Sequence, residues 1–142
     1  FMQSKFPTSQ LISDFEGDSR SMKKIFILDR WGILAKAYGW AHYAYIGGGF
    51  NQALHNILEP AVYGTPVFFG WNSNKTKPWE AEELLIRKGG YAVKSVTDFS
   101  TKFQQLEADS NLYREVSNNA RNFIESNRGA TTTIMNKIRL AI

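Results

Sequence analysis

Between Tyr45 and Gly70 the chain reads YIGGGFNQALHNILEPAVYGTPVFFG, and two of its features could do chemistry. Gly47, Gly48 and Gly49 admit positive φ and let backbone N–H groups come close to a ligand. A helix starting just behind them would add a partial positive charge. Together these suit an anion, a phosphate above all, although the same glycines would also serve a plain tight turn between strand and helix. Two known glycine fingerprints do not fit. The dinucleotide pattern G-x-G-x-x-G needs a third glycine where Gln52 stands, and an acidic residue closing the next strand where the chain has Gly70-Trp71. A Walker A loop needs Gly-Lys-Ser/Thr after the glycines, and none follows.

The HNILEP run, His55 to Pro60, carries the second feature. Asn56 and Glu59 are spaced as an N-cap and its capping-box partner, and Pro60 is tolerated only near a helix start. On that reading both side chains serve the helix, which begins around Asn56 or Ile57. The alternative is that Glu59, off the apolar stripe, accepts hydrogen bonds from a ribose while the amides around Asn56 hold a phosphate. His55 alone points nowhere.

The surrounding elements follow from periodicity. Leu54, Ile57, Leu58, Ala61 and Val62 fall at i, i+3, i+4, i+7 and i+8, one apolar stripe on a helix. Strands are predicted over Lys23–Asp29, His42–Ile46, Thr65–Gly70 and Tyr91–Lys94, with helical turns over Gly32–Tyr38 and Trp79–Lys88, the latter ended by Gly89-Gly90. The nearly continuous apolar content of His42–Ile46 suits a strand covered on both faces. Asp98–Glu107, Asn111–Ser126 and Thr131–Ile142 read as helices. The predicted fold is α/β: a Rossmann-like parallel sheet flanked by helices, with a helical C-terminal tail. Such sheets bind ligands at the carboxyl ends of their strands, where Gly47–Asn56 falls.

Composition bounds the rest. A chain of 142 residues with 43% hydrophobic residues has enough material for one packed core, but not for two substantial ones. The expected division is an irregular segment over 1–22 and a Rossmann-like domain over 23–142. The chain opens Phe1-Met2 with polar, Ser-rich residues, which reads as a cut inside a longer protein. No long apolar run or leader pattern is present, so the piece is expected to be soluble. With no cysteine and two histidines, His42 and His55, neither a disulfide nor a metal centre is expected. The net charge of +4, densest at Lys75, Lys77, Arg87 and Lys88, suits an anionic small ligand or an anionic membrane surface. No basic run interleaves with stacking aromatics, which argues against nucleic acid.

The segments DRWGILAKAY (Asp29 to Tyr38), YIGGGF (Tyr45 to Phe50), HNILEPAVYGTPVFFG (His55 to Gly70) and EAEELLIRKGG (Glu80 to Gly90) strongly resemble the C-terminal half of 3-deoxy-D-manno-octulosonic acid (Kdo) transferases. RNFIESNRGA, Arg121 to Ala130, resembles them more loosely. The resemblance implies the C-terminal half of a GT-B glycosyltransferase, an enzyme that uses CMP-Kdo to glycosylate the lipid A precursor in lipopolysaccharide biosynthesis. That enzyme works at the cytoplasmic face of the Gram-negative inner membrane and needs no cofactor beyond its donor. It also implies that the backbone of Trp31, Gly32 and Ile33 contacts the CMP moiety. Asn56, Ile57, Leu58 and Glu59, with Gly48 and Gly49, would hold the donor's ribose and phosphate. Trp31, Gln52-Ala53 and Trp71 depart from the usual family residues. The catalytic base and the acceptor site would lie in an N-terminal domain, so the piece is expected to be inactive alone. Two other readings stand beside this one: a GT-B donor domain for another nucleotide sugar, and a non-catalytic nucleotide-binding or interaction module.

Overall fold

A computed structural model of the chain describes residues 2–15, 23–74 and 78–141. Phe1, Lys75, Lys77 and Ile142 therefore lie outside the described residues. The chain divides into two compact units, 1–37 and 38–142.

In the first unit a short helix, α1 (Met2–Lys5), precedes strand β1 (Gln10–Leu11), which pairs in parallel with β2 (Phe26–Ile27), and α2 (Leu34–Ala37) follows. The unit boundary at Ala37, and the pairing of Gln10–Leu11 inside the segment read as irregular, differ from the division expected at Lys23. Strands of two residues are too short to leave an alternating pattern in a sequence. Only two residues of the apolar run from Lys23 to Asp29 form a strand, both half-buried.

The second unit holds the larger sheet. Strands β3 (Ala44–Ile46), β4 (Val67–Gly70) and β5 (Gly90–Val93) run parallel in that order, with Ala44 opposite Val67 and Val67 opposite Gly90. The two crossovers carry α3 (Leu58–Val62) and α4 (Trp79–Ile86). Three longer helices follow: α5 (Val96–Ala108), α6 (Ser110–Ser126) and α7 (Ala130–Ala141). Every residue of the central strand β4 is buried, which explains its unbroken apolar run. The expectation that β3 is covered on both faces needs correction: Ala44 and Ile46 are buried on one face, but Tyr45 on the other is 52% exposed, because the helix on that side covers it only through the edge of Phe99 and leaves a cavity beside it.

Side-chain alternation splits the core in two. Val67 and Phe69 join Ala44, Ile46, Ile57, Ala61 and Leu84 on one face, while Phe68 joins Val93, Leu106, Tyr91 and Phe99 on the other. Helix α6 closes both: Ala120 and Phe123 enter the first cluster, Leu112 and Val116 the second. Its start is fixed by Asp109, whose Oδ1 accepts from the N–H groups of Asn111 and Leu112 at 2.9 and 3.0 Å. Asp109→Ala should cost about 1 kcal/mol, seen as a lower thermal midpoint with unchanged helix content in the folded state. Asp109→Asn should recover most of that loss. All the described side chains of α7 are exposed, Ile134, Met135 and Ile138 among them. No described helix is long and apolar enough to cross a membrane.

Candidate functional site

The loop from Gly47 to Ile57 joins the carboxyl end of β3 to α3. It is folded tightly on itself: Gly49 N–H donates to the Gln52 carbonyl and His55 N–H to the Gly47 carbonyl, both at 3.1 Å. The Asn72 N–H reaches the Gly49 carbonyl and its side-chain amide the Phe50 carbonyl, each at 3.1 Å, tying the loop to the end of β4. Gly48 and Gly49 have φ of +88° and +82°, and a Cβ would overlap the Ala53 carbonyl oxygen at the first and the Gly70 carbonyl oxygen at the second. Both glycines are thus explained by the turn itself. At Gly47 a Cβ would meet only the His55 ring at 3.6 Å, an ordinary contact.

The HNILEP run departs from a capping box. Helix α3 starts at Leu58, with Ile57 as its flanking residue and no side-chain cap on it. Ile57 is buried in the core and cannot cap, so Asn56 bridges the junction: its Oδ1 accepts from Leu58 N–H at 3.0 Å, an Asx-type turn. Its Nδ2 donates to Glu59 Oε1 at 3.1 Å. Glu59 therefore holds the Asn56 side chain, not the Asn56 backbone. The negative charge of Glu59 is felt by Tyr38, whose phenol is pushed up chiefly by burial and secondarily by that carboxylate.

Two cavities flank this connection. Leu54, His55, Asn56, Ile57 and Leu58 line one of about 160 Å³ together with Pro78 and Glu80. That is small beside the roughly 300–1,000 Å³ of ordinary ligand pockets. The other, about 370 Å³, lies on the α5 side, with Tyr45, Phe50, Val93, Ser95, Val96 and Phe99 around it. Sequence reasoning passed over this second cavity. Its one available signal was Phe50 directly behind the glycines, a large ring that here packs over Gly70.

Trp31, Gly32 and Ile33 belong to the first unit. The Trp31 side chain is wholly exposed, Gly32 has φ of +79°, and a cavity of about 490 Å³ is lined by Leu28, Asp29, Arg30, Trp31, Gly32 and Leu34. Asp29 anchors this turn: its carboxylate accepts from Ser13 Oγ at 2.5 Å and from Ser13 N–H at 3.0 Å. The Ser13 hydroxyl bond, more than any other influence, holds the Asp29 carboxyl below its ordinary value. Gly48, Gly49 and Asn56 to Glu59 thus share one connection of the second unit, and Trp31 to Ile33 sit in the first.

No protein-family model matches the chain. Among curated proteins, the chain is 32% identical over 130 residues to a bifunctional glycosyltransferase/methyltransferase of Fusobacterium nucleatum, covering 90% of the chain and 20% of that protein. It is 36% identical over 103 residues to the 3-deoxy-D-manno-octulosonic acid transferase of Aquifex aeolicus, covering 71% of the chain and 27% of that enzyme. The same-named enzyme of Rickettsia felis is 33% identical over 109 residues, covering 73% of the chain and 23% of that enzyme. The chain thus spans between a fifth and about a quarter of the length of these relatives. Among solved structures it superposes on the C-terminal CMP-Kdo binding domain of WaaA from Acinetobacter baumannii with a TM-score of 0.66 and 16% identity, over 87% of the chain and 64% of that domain. That likeness shows the fold: parallel strands flanked by helices, as in the C-terminal half of a GT-B enzyme. Sequence and fold together bear out the resemblance of this chain to the C-terminal domain of Kdo transferases.

Proposed function

We propose that this chain is the CMP-Kdo-binding part of a Kdo transferase, a glycosyltransferase that in full length joins Kdo to the lipid A precursor of lipopolysaccharide. The observation that carries the reading is the joint one. The YIGGGF and HNILEP segments that resemble the transferases run from a parallel strand through the glycine loop into α3, at the carboxyl end of the sheet, where α/β folds bind ligands.

In this reading the Glu59 carboxylate receives the ribose, the backbone around Asn56 and the glycine loop lies along the phosphate, and the resemblance gives the backbone of Trp31 to Ile33 to the CMP moiety. In the intact enzyme an acceptor sugar hydroxyl attacks the anomeric carbon of Kdo. Its proton passes to a base outside this chain, the bond from the anomeric carbon to the phosphate oxygen breaks, and CMP leaves. The residues of this chain bind and orient the donor and supply no general base. The intact enzyme acts on an acceptor embedded in the cytoplasmic face of the inner membrane.

Calorimetric titration with CMP, with UMP as the control, tests this on the wild type and on Glu59→Ala. CMP should bind in preference to UMP, and Glu59→Ala should weaken CMP by about tenfold, the loss of one hydrogen bond to a charged group. Its thermal midpoint should stay within a few degrees, since no helix amide depends on this carboxylate. Equal binding of CMP and UMP would point to a donor domain for another nucleotide sugar. Unchanged CMP affinity in Glu59→Ala would remove Glu59 from the site.

A further inference from the structure

We infer that Asn56 is a positioning residue that acts through Glu59, turning its carboxylate into a reader of the ribose diol. The inference rests on the donor-site reading above. Its starting point is the Asn56 side chain, which is committed at both ends. Oδ1 accepts from Leu58 N–H, which sets the orientation of the amide, so Nδ2 must face the other way, where it meets Glu59 Oε1. The amide thereby takes one oxygen of Glu59 and fixes the plane of the carboxylate. Among the described residues no hydrogen bond reaches Oε2.

A carboxylate that served only the helix would bond a backbone N–H, as the glutamate of a capping box does. Glu59 bonds none, and α3 begins on the Asn56–Leu58 contact alone. The carboxylate is anionic, acceptor-only and rotationally held, with two lone-pair sites on Oε2 still open. Vicinal hydroxyls are the groups that suit it: each donates, and a diol spans the free acceptor sites of one carboxylate. A nucleotide lacking the 2′- and 3′-hydroxyls offers it nothing. Asn56 thus sets discrimination between ribonucleotide and deoxyribonucleotide without touching the ligand.

The test compares CMP with 2′,3′-dideoxy-CMP by calorimetric titration on four forms: wild type, Asn56→Ser, Glu59→Ala and the double variant. Serine keeps a hydroxyl that can accept from Leu58 N–H but has no donor long enough to reach Glu59. The wild type should prefer CMP by about tenfold. Asn56→Ser should lose most of that preference, and in the Glu59→Ala background it should cost nothing further. Thermal unfolding accompanies each titration. If serine unfolds the helix start, Asn56→Asp, which keeps the acceptor and the shape, takes its place. An Asn56 effect of equal size with and without Glu59 would mean that Asn56 meets the nucleotide itself and would overturn the inference. A diol preference that survives Asn56→Ser would do the same while leaving the donor site in place. Failure of the wild type to bind CMP would remove the donor-site reading first.

Discussion

Gly49→Ala is expected to lower stability by about 3 kcal/mol or more, a drop of roughly 10 °C in the thermal midpoint. Two effects add. The residue has φ of +82°, a conformation that costs an alanine about 1–2 kcal/mol. The new methyl group would also overlap the Gly70 carbonyl oxygen, which is backbone in the central strand and cannot swing aside. Nor can the loop rotate away, because the Gly49 N–H and carbonyl are both bonded, to Gln52 and Asn72. Two other glycines serve as controls. Gly32 has φ of +79° with nothing within 4 Å of an added Cβ, so alanine there should cost only the backbone part. Gly47 has room and no positive φ, so alanine should stay within about 0.5 kcal/mol. Equal midpoints for Gly47→Ala and Gly49→Ala would mean that the loop is not packed on β4 as described.

Phe68→Ala should cost about 4 kcal/mol in urea unfolding, near the middle of the range for buried phenylalanines. Phe68 is 1% exposed, stacks on Tyr91 with ring centroids 5.0 Å apart, and meets Phe99 edge-on at 5.1 Å. Sheet and helix trap its place from both sides, so little of the void can collapse. Phe68→Leu, which keeps most of the volume, should cost no more than about 1.5 kcal/mol. Because Phe68 faces the α5 side, CMP titrated well below the midpoint should bind both variants as it binds the wild type. A change in affinity as large as that of Glu59→Ala would show that the two sheet faces are coupled.

The parts of this fold that were legible are those with a strong period or a strong neighbour. The run VFFG in β4 and the three C-terminal helices appear where the sequence puts them, within two residues at their ends. Of the apolar stripe, Leu58, Ala61 and Val62 lie in α3, while Leu54 precedes it in the loop. The central strand is easiest because burial on both faces leaves no polar position in it. What was not legible depends on neighbours absent from the local pattern. Tyr45 looks like a core residue until the helix above it is seen to reach it only with the edge of Phe99 and to leave a cavity there. The pairing of Gln10–Leu11 with Phe26–Ile27 is too short to announce itself. At the candidate site the residue types and spacing were readable, but the partners were not. Asn56 and Glu59 have capping-box spacing, yet a core isoleucine intervenes and moves the helix start by one residue. The side chains then bond each other.

Helix α6 fastens both faces of the sheet, and this has a consequence for the order in which the unit can form. Its Tyr113 hydroxyl reaches the carbonyl of His42 at 3.1 Å across 71 positions of sequence, and its Arg121 guanidinium reaches the carbonyl of Tyr63 at 3.0 Å across 58. A ribosome delivers β3 long before the residues that cover it. With about eighty residues separating Ala44 from Phe123, synthesis at 5–20 residues per second leaves a wait of roughly 4–16 s. During that interval the strands exist without their last helix, and Phe69 and Leu84 have no Phe123 to pack against. Such long-range closure makes for slow folding and leaves the nascent chain dependent on whatever shields apolar surface in the cell. The last turn of α6, which brings Phe123, therefore decides when the cluster around Ile57, Phe69 and Leu84 is finally closed.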